Sequence, residues 1–284
     1  MTGLDAQPDR SRADVWPVGT YLRVERWAPL SHDEDEGPTR LQSRVPVDAH
    51  LVDPAGGLYA GALLTVIDSL GGYLSGLAVA PDGIVTTSMA LRVGRRRHVG
   101  PLLCDAVVLR KGRTSVVTQI SVTDEGHDGA AVASCVMTCA VLARESADPT
   151  FGRPVHHPMA PPQRDPVSLV EFFGVEPGSG PVTRLEIGDY LRNTWSILHG
   201  GAIAVLADLA AVRAVQSADG PSPGALSSAD MVLHYLAPAR VGPVEARCTV
   251  MGARPDATVV RVAMYDTGKH DRMVALASVT VRPA

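Results

Sequence analysis

The chain lacks most of the features that would name its chemistry directly. Its 284 residues include only four cysteines, Cys104, Cys135, Cys139 and Cys248. They have neither the spacing of metal ligands nor the density of a secreted disulfide scaffold. Cys135 and Cys139 lie four apart in an apolar run and read as core packing. There is no strong charge excess: a net charge of −4 gives no electrostatic reason to expect a nucleic-acid partner. No basic-then-apolar leader opens the sequence, so a cytoplasmic protein is expected. No G-x-S-x-G elbow is present, which argues against a serine nucleophile of the α/β-hydrolase type. There is no H-E-x-x-H, and His156-His157 has no matching ligand pair, so no metal is expected. No G-x-G-x-x-G follows a strand and no Walker A occurs, so no bound cofactor is expected either.

What is present is a hydrophobic fraction of 45%, enough for two cores of ordinary size. Residues 60–80 are nearly all apolar or small and long enough to cross a bilayer. They contain Asp68 and four glycines and have no basic anchors, so the stretch reads as a helix buried in a protein core. Its counterpart at 200–217 carries Asp208 and Arg213 and is expected not to span.

That counterpart exists because the chain contains itself twice. At an offset of 140, Leu58, Gly61, Ala62 and Asp68 fall on Leu198, Gly201, Ala202 and Asp208. At an offset of 142, Met89, Leu91, Val99, Gly100 and Pro101 fall on Met231, Leu233, Val241, Gly242 and Pro243. Val117, Asp124, Gly126, Val132, Ala133 and Thr138 fall on Val259, Asp266, Gly268, Val274, Ala275 and Thr280. The two-residue slippage is assigned to the loop at 217–224, where insertions cost little. A repeat of this length is a duplicated domain rather than a solenoid unit.

Each copy reads as an extended segment, a glycine-containing loop, a long apolar helix and four strands. In the first copy the extended segment is 39–48 and the strands are 84–93, 101–110, 114–123 and 130–142. In the second they are 181–189, then 225–235, 243–251, 257–265 and 272–281. Turn signals at 110–113 and 124–126 mark hairpins. The strands read as apolar on both faces, as where a sheet wraps a helix. Residues 31–37 are an acidic, solvated loop. The expected organisation is a polar terminus (1–14), a first domain (15–143), a Pro- and His-rich linker (144–166) and a second domain (167–284). The fold class is α+β, with two tandem strand–helix–four-strand antiparallel units, each wrapping a central helix.

The sharpest chemical signal is the run from Asn193 through His199-Gly200-Gly201 to Asp208. Glycines at a helix start admit close backbone approach by a ligand. The first-turn amides lack intrahelical partners and, with the helix dipole, favour a developing negative oxygen. Asn193 and His199 are placed to hold that loop. Asp68 and Asp208 sit mid-helix, where a carboxylate gains nothing from capping and suffers desolvation. Such a group is either satisfied locally or functional.

The pattern Asn-x5-His-Gly-Gly-x6-Asp before a four-strand meander resembles the hotdog-fold acyl-CoA thioesterases, particularly the phenylacetyl-CoA thioesterase-like branch. The likeness is good over 167–284 and looser over 15–143, which implies a double hotdog in one chain. The resemblance implies hydrolysis of an acyl-CoA thioester, with CoA as part of the substrate and no separate cofactor. It implies that the carbonyl takes the N–H of Gly200 while the aspartate comes from the other half as general base or nucleophile. Carried over, this gives one full-pattern site: Asp68, Gly200, His199, Asn193 and the water-positioning hydroxyl of Thr86. A second, degenerate or accessory site combines Asp208, Tyr59, Ala60, Asp53 and Ser228. Gly72, beside Gly71 and Gly76 inside the first helix, is assigned to an acyl pocket, the alternative being tight packing. Trp195 is assigned to the acyl group, and Arg96 and Arg97, with His98 beside them, to the CoA phosphates. The partners expected are the acyl-CoA and, beyond it, further copies of the chain, with neither nucleic acid nor membrane. Two rivals stand beside hydrolysis: a non-catalytic acyl-CoA binder or sensor, and a hotdog acyl-CoA hydratase.

Overall fold

The computed structural model describes residues 17–27, 31–33, 37–54, 56–95, 97–145, 156–178, 182–218 and 225–283. The first half comprises β1 (Gly37–Val45), α1 (Ala60–Val79), β2 (Gly83–Val93), β3 (Leu102–Lys111), β4 (Ser115–Asp124) and β5 (Ala130–Leu142). The second repeats the order with β6 (Val182–Leu185), α2 (Gly200–Ala218), β7 (Leu226–Tyr235), β8 (Val244–Arg254), β9 (Ala257–Asp266) and β10 (Arg272–Pro283).

All strands join one antiparallel sheet, in which β1-β3-β4-β5-β2 runs directly into β7-β10-β9-β8-β6. The seam is β2 against β7, with Met89 opposite Leu233, Ala90 opposite Val232 and Leu91 opposite Met231. Ala90 and Val232 are equivalent positions of the two copies, so the duplication's two-fold axis passes between them. Both long helices lie on the same face of this sheet and pack on each other. The architecture is the double hotdog that the repeat predicts.

Burial alternates strictly along β4 and β9. Val116, Thr118, Ile120, Val122 and Asp124 of β4 are buried while their neighbours are not, and β9 repeats the pattern. This corrects the expectation of strands buried on both faces. The helices cover one face only, and Val136 and Val259 are 43% and 38% exposed. Apolar composition at such positions is no measure of burial.

Small elements were not visible in the sequence. One-turn helices, Pro17–Tyr21 and Leu169–Phe172, open the two halves, and the Tyr21 and Phe172 rings stack at 3.7 Å. The acidic stretch contributes the strand Ser31–Asp33 to a hairpin with β1; 34–36 lie outside the described residues. So do 219–224, which hold most of the loop assigned to the repeat's slippage. Both long helices, α2 included, are long and apolar enough to cross a membrane. The expectation that α2 could not span is therefore corrected on length and hydropathy. In this structure 83% and 61% of their most apolar windows are buried inside the protein.

Paired glycines explain how closely the helices approach. A Cβ built on Gly61 of α1 would lie 2.5 Å from Cα of Val205 on α2. One built on Gly201 would lie 2.5 Å from Cγ2 and 2.7 Å from Cα of Thr65 on α1. Other shared residues are structural: Asp124 accepts the amides of Val99 and Gly100, and Asp266 those of Arg240, Val241 and Gly242. Burial raises both carboxyls, but the donated amides outweigh it and hold them below the usual range. A Cβ on Gly126 or Gly268 would overlap the carbonyl of Gly100 or Gly242.

Inside α1, Gly71 faces Met137, whose sulfur would lie 2.7 Å from an added Cβ. Helix–sheet packing accounts for that glycine. At Gly72 a Cβ would meet Ile84 and Met137 at an ordinary 3.8 Å. Gly61→Ala and Gly201→Ala are therefore expected to overpack the crossing and destabilise by about 2–3 kcal/mol. Gly72→Ala is expected to gain about 0.5–1 kcal/mol of helix propensity. Urea unfolding of the three variants checks both signs.

Candidate active site

The crossing carries each helix's mid-point aspartate to the first turn of the other helix. Asp68, 7% exposed, reaches the start of α2. Its Oδ2 lies 3.6 Å from His199 Nδ1 and would be 2.7 Å from a Cβ placed on Gly200. Only glycine leaves room for the carboxylate there. Thr86, on β2, donates its hydroxyl to Asp68 Oδ1 at 2.8 Å. The loop before α2 is shaped by Asn193, whose Oδ1 accepts the amides of Trp195 (3.0 Å) and Ile197 (3.3 Å). The five residues of the full-pattern site are thus brought together from both halves.

His199 is the N-cap of α2. Its Nδ1 accepts the amide of Gly201 at 2.9 Å and its Nε2 lies 3.2 Å from Ser69 Oγ. Burial lowers its pKa, only partly opposed by Asp68, which favours the neutral ring. Tyr235 donates its hydroxyl to the carbonyl of Gly200 at 2.8 Å. Ser69 and Tyr235 were not singled out in the sequence. Their signal was a difference between copies, since the positions equivalent to them are Leu209 and Val93.

The second site gathers its expected residues in another arrangement. Asp208, 2% exposed, accepts the Ser228 hydroxyl at 2.6 Å and the Gly61 amide at 2.7 Å. Burial pushes its pKa up to about 6, against the hydrogen bonds from Ser228, Gly61 and Ala60. Asp53 organises its loop as Asn193 does, accepting the Gly57 amide. Asp53, Tyr59 and Asp208 line a cavity of about 170 Å³ together with Arg213, Leu226 and Ser227.

The expected substrate contacts are less concentrated. Trp195 packs on Gly83 of the other half, with ring carbons 2.7 and 2.8 Å from a built Cβ. Arg97 is exposed and Arg96 lies outside the described residues. Among the described residues no cluster of His, Cys, Asp and Glu could hold a metal. The four cysteines are unpaired, and burial raises Cys104, Cys135 and Cys139 to about 12.

The thioesterase superfamily matches this chain twice, over residues 55–131 and 196–271, together more than half its length. The chain belongs to that superfamily. Each match spans a helix start, its aspartate and much of the following meander. Solved structures agree on the fold. The assigned thioesterase II of Thermobifida fusca is 17% identical, with 95% of this chain and 98% of that chain covered at a TM-score of 0.58. A tesB protein of Mycobacterium avium subs. paratuberculosis is 12% identical, with 87% and 93% covered at 0.58. The 12:0-ACP thioesterase of Umbellularia californica is 12% identical, with 86% and 94% covered at 0.56. No curated protein matches the chain.

The raised Asp208 pKa sets a stability slope. The folded protein holds this proton more tightly than the unfolded chain, so the contribution is full below about pH 4 and lost as pH rises through about 6. Relative to Asp208→Asn, the wild type is expected to lose on the order of 3 kcal/mol between pH 4 and 7. Chemical denaturation of both proteins across that range measures the difference.

Proposed function

We propose that the chain hydrolyses an acyl-CoA thioester to the free carboxylic acid and CoA, at the site built by Asp68, Thr86, Asn193, His199 and Gly200. The observation that carries this reading is the Asp68 carboxylate of one half set against the glycine start of the other half's helix. The amides there, with the helix dipole, suit a carbonyl oxygen that gains negative charge. Asp68 is anchored through one oxygen by Thr86, with the other turned towards the helix mouth.

In the scheme we propose, the Gly200 N–H takes the thioester oxygen. Asp68 removes a proton from water as its oxygen adds to the carbonyl carbon. The tetrahedral intermediate collapses, the C–S bond breaks, and CoA leaves as thiolate, to be protonated by solvent. Direct attack by Asp68, followed by hydrolysis of the anhydride, uses the same placement. A thiolate leaves readily, so the scheme asks for no strong general acid and no cofactor. The carrier follows the family resemblance; the acyl-ACP substrate named for the Umbellularia protein makes a carrier-protein thioester the natural comparison.

Free-thiol release over a panel of acyl-CoA and acyl-carrier-protein thioesters tests the reading. Asp68→Asn is expected to lower kcat by about 10²–10⁴-fold, while Asp208→Asn keeps most of the activity. No release from any thioester, with acyl-CoA bound intact, would favour the binder reading. Hydration of crotonyl-CoA would favour a hydratase.

A further inference from the structure

The second amide of each long helix has no partner inside the helix and attracts whatever acceptor stands nearest. Two acceptors compete for it in each site: the side chain at the helix N-cap and the aspartate arriving from the other helix. The outcomes differ. At α2, His199 Nδ1 holds the Gly201 amide at 2.9 Å and Asp68 remains beside Gly200. At α1, the N-cap Tyr59 makes no side-chain cap bond, and Asp208 Oδ2 holds the Gly61 amide at 2.7 Å. The Ala60 amide also donates to that carboxyl.

The geometry points to His199 as a positioning residue that leaves Asp68 free beside Gly200 by occupying the Gly201 amide, and to Asp208 as a plug on the other helix mouth, where it occupies the Gly61 amide itself. The ring's proton follows from bond directions. Nδ1 accepts from Gly201, so the neutral ring carries its proton on Nε2 and donates to Ser69 Oγ. Ser69 in turn donates its hydroxyl hydrogen bond to the Thr65 carbonyl at 3.0 Å. The line of donors runs one way, and it holds the imidazole with its acceptor facing the helix. Opposite, Leu209 stands where Ser69 does and offers no such support. Gly200 contributes by leaving space for Asp68, whereas Ala60 carries a methyl in the equivalent place.

The kinetic arm of the test rests on the hydrolase reading; the structural arm does not. Asparagine places an oxygen where histidine has Nδ1, so His199→Asn preserves the cap without an imidazole. It is expected to stay within about tenfold of wild type, while His199→Leu loses about 10²-fold in kcat with KM little changed. Equal loss in both would mean the ring itself is needed and would overturn the proposal. In a crystal structure of His199→Leu, an Asp68 oxygen is expected within hydrogen-bond distance of the Gly201 amide. Asp68 unmoved beside Gly200 would overturn the proposal whatever the enzyme hydrolyses. Should that variant not fold, Tyr59→His/Ala60→Gly poses the converse question. Asp208 is expected to release the Gly61 amide to the new imidazole; Asp208 still bound there would equally refute it.

Discussion

The close crossing of two helices at Gly61 and Gly201 governs this structure. Neither contact tolerates a Cβ, because the facing atoms belong to the backbone or stem of Val205 and Thr65. Seven residues beyond each crossing glycine, about two turns on, stands an aspartate. The approach that lets the helices touch thereby brings each carboxylate to the other helix's first turn. A wider crossing would leave Asp68 and Asp208 as buried charges with no amide terminus to face, an arrangement that proteins rarely sustain.

The same geometry produced two electrostatic outcomes from one blueprint. In both sites a hydroxyl from the first strand after the helix binds the aspartate: Thr86 on Asp68, Ser228 on Asp208. The difference lies in who satisfies the helix terminus. Where histidine does so, the carboxylate borders glycine. Where tyrosine stands, the carboxylate itself becomes the cap, deeply buried and with its pKa raised.

Much of this was legible in the sequence because duplication supplied an internal comparison. Matched glycines and aspartates located the two long helices and named the residues of both candidate sites, and the unmatched pair Tyr59-Ala60 against His199-Gly200 marked their inequivalence; the pairing of β2 with β7 had no such signal. The signal failed where packing rather than pattern decides. The β strands look apolar throughout, yet along β4 and β9 only every second residue is buried. Gly71 looked like room for a ligand and is room for Met137 instead. Ser69 and Tyr235 were missed because neither belongs to the repeated motif; each is an addition to one copy only. The one-turn helices at Pro17 and Leu169 are too short for any periodicity to reveal.

The continuous sheet across Ala90 and Val232 has a further consequence. In a pair of identical subunits related by such an axis, every substitution is made twice, and no cleft can be lost alone. Joined in one chain, the halves are free to diverge. Tyrosine and alanine stand in the first copy where histidine and glycine stand in its twin, and Asp208 of the second lobe is tied to the Gly61 amide of the first. Symmetry of the backbone has outlasted symmetry of the chemistry.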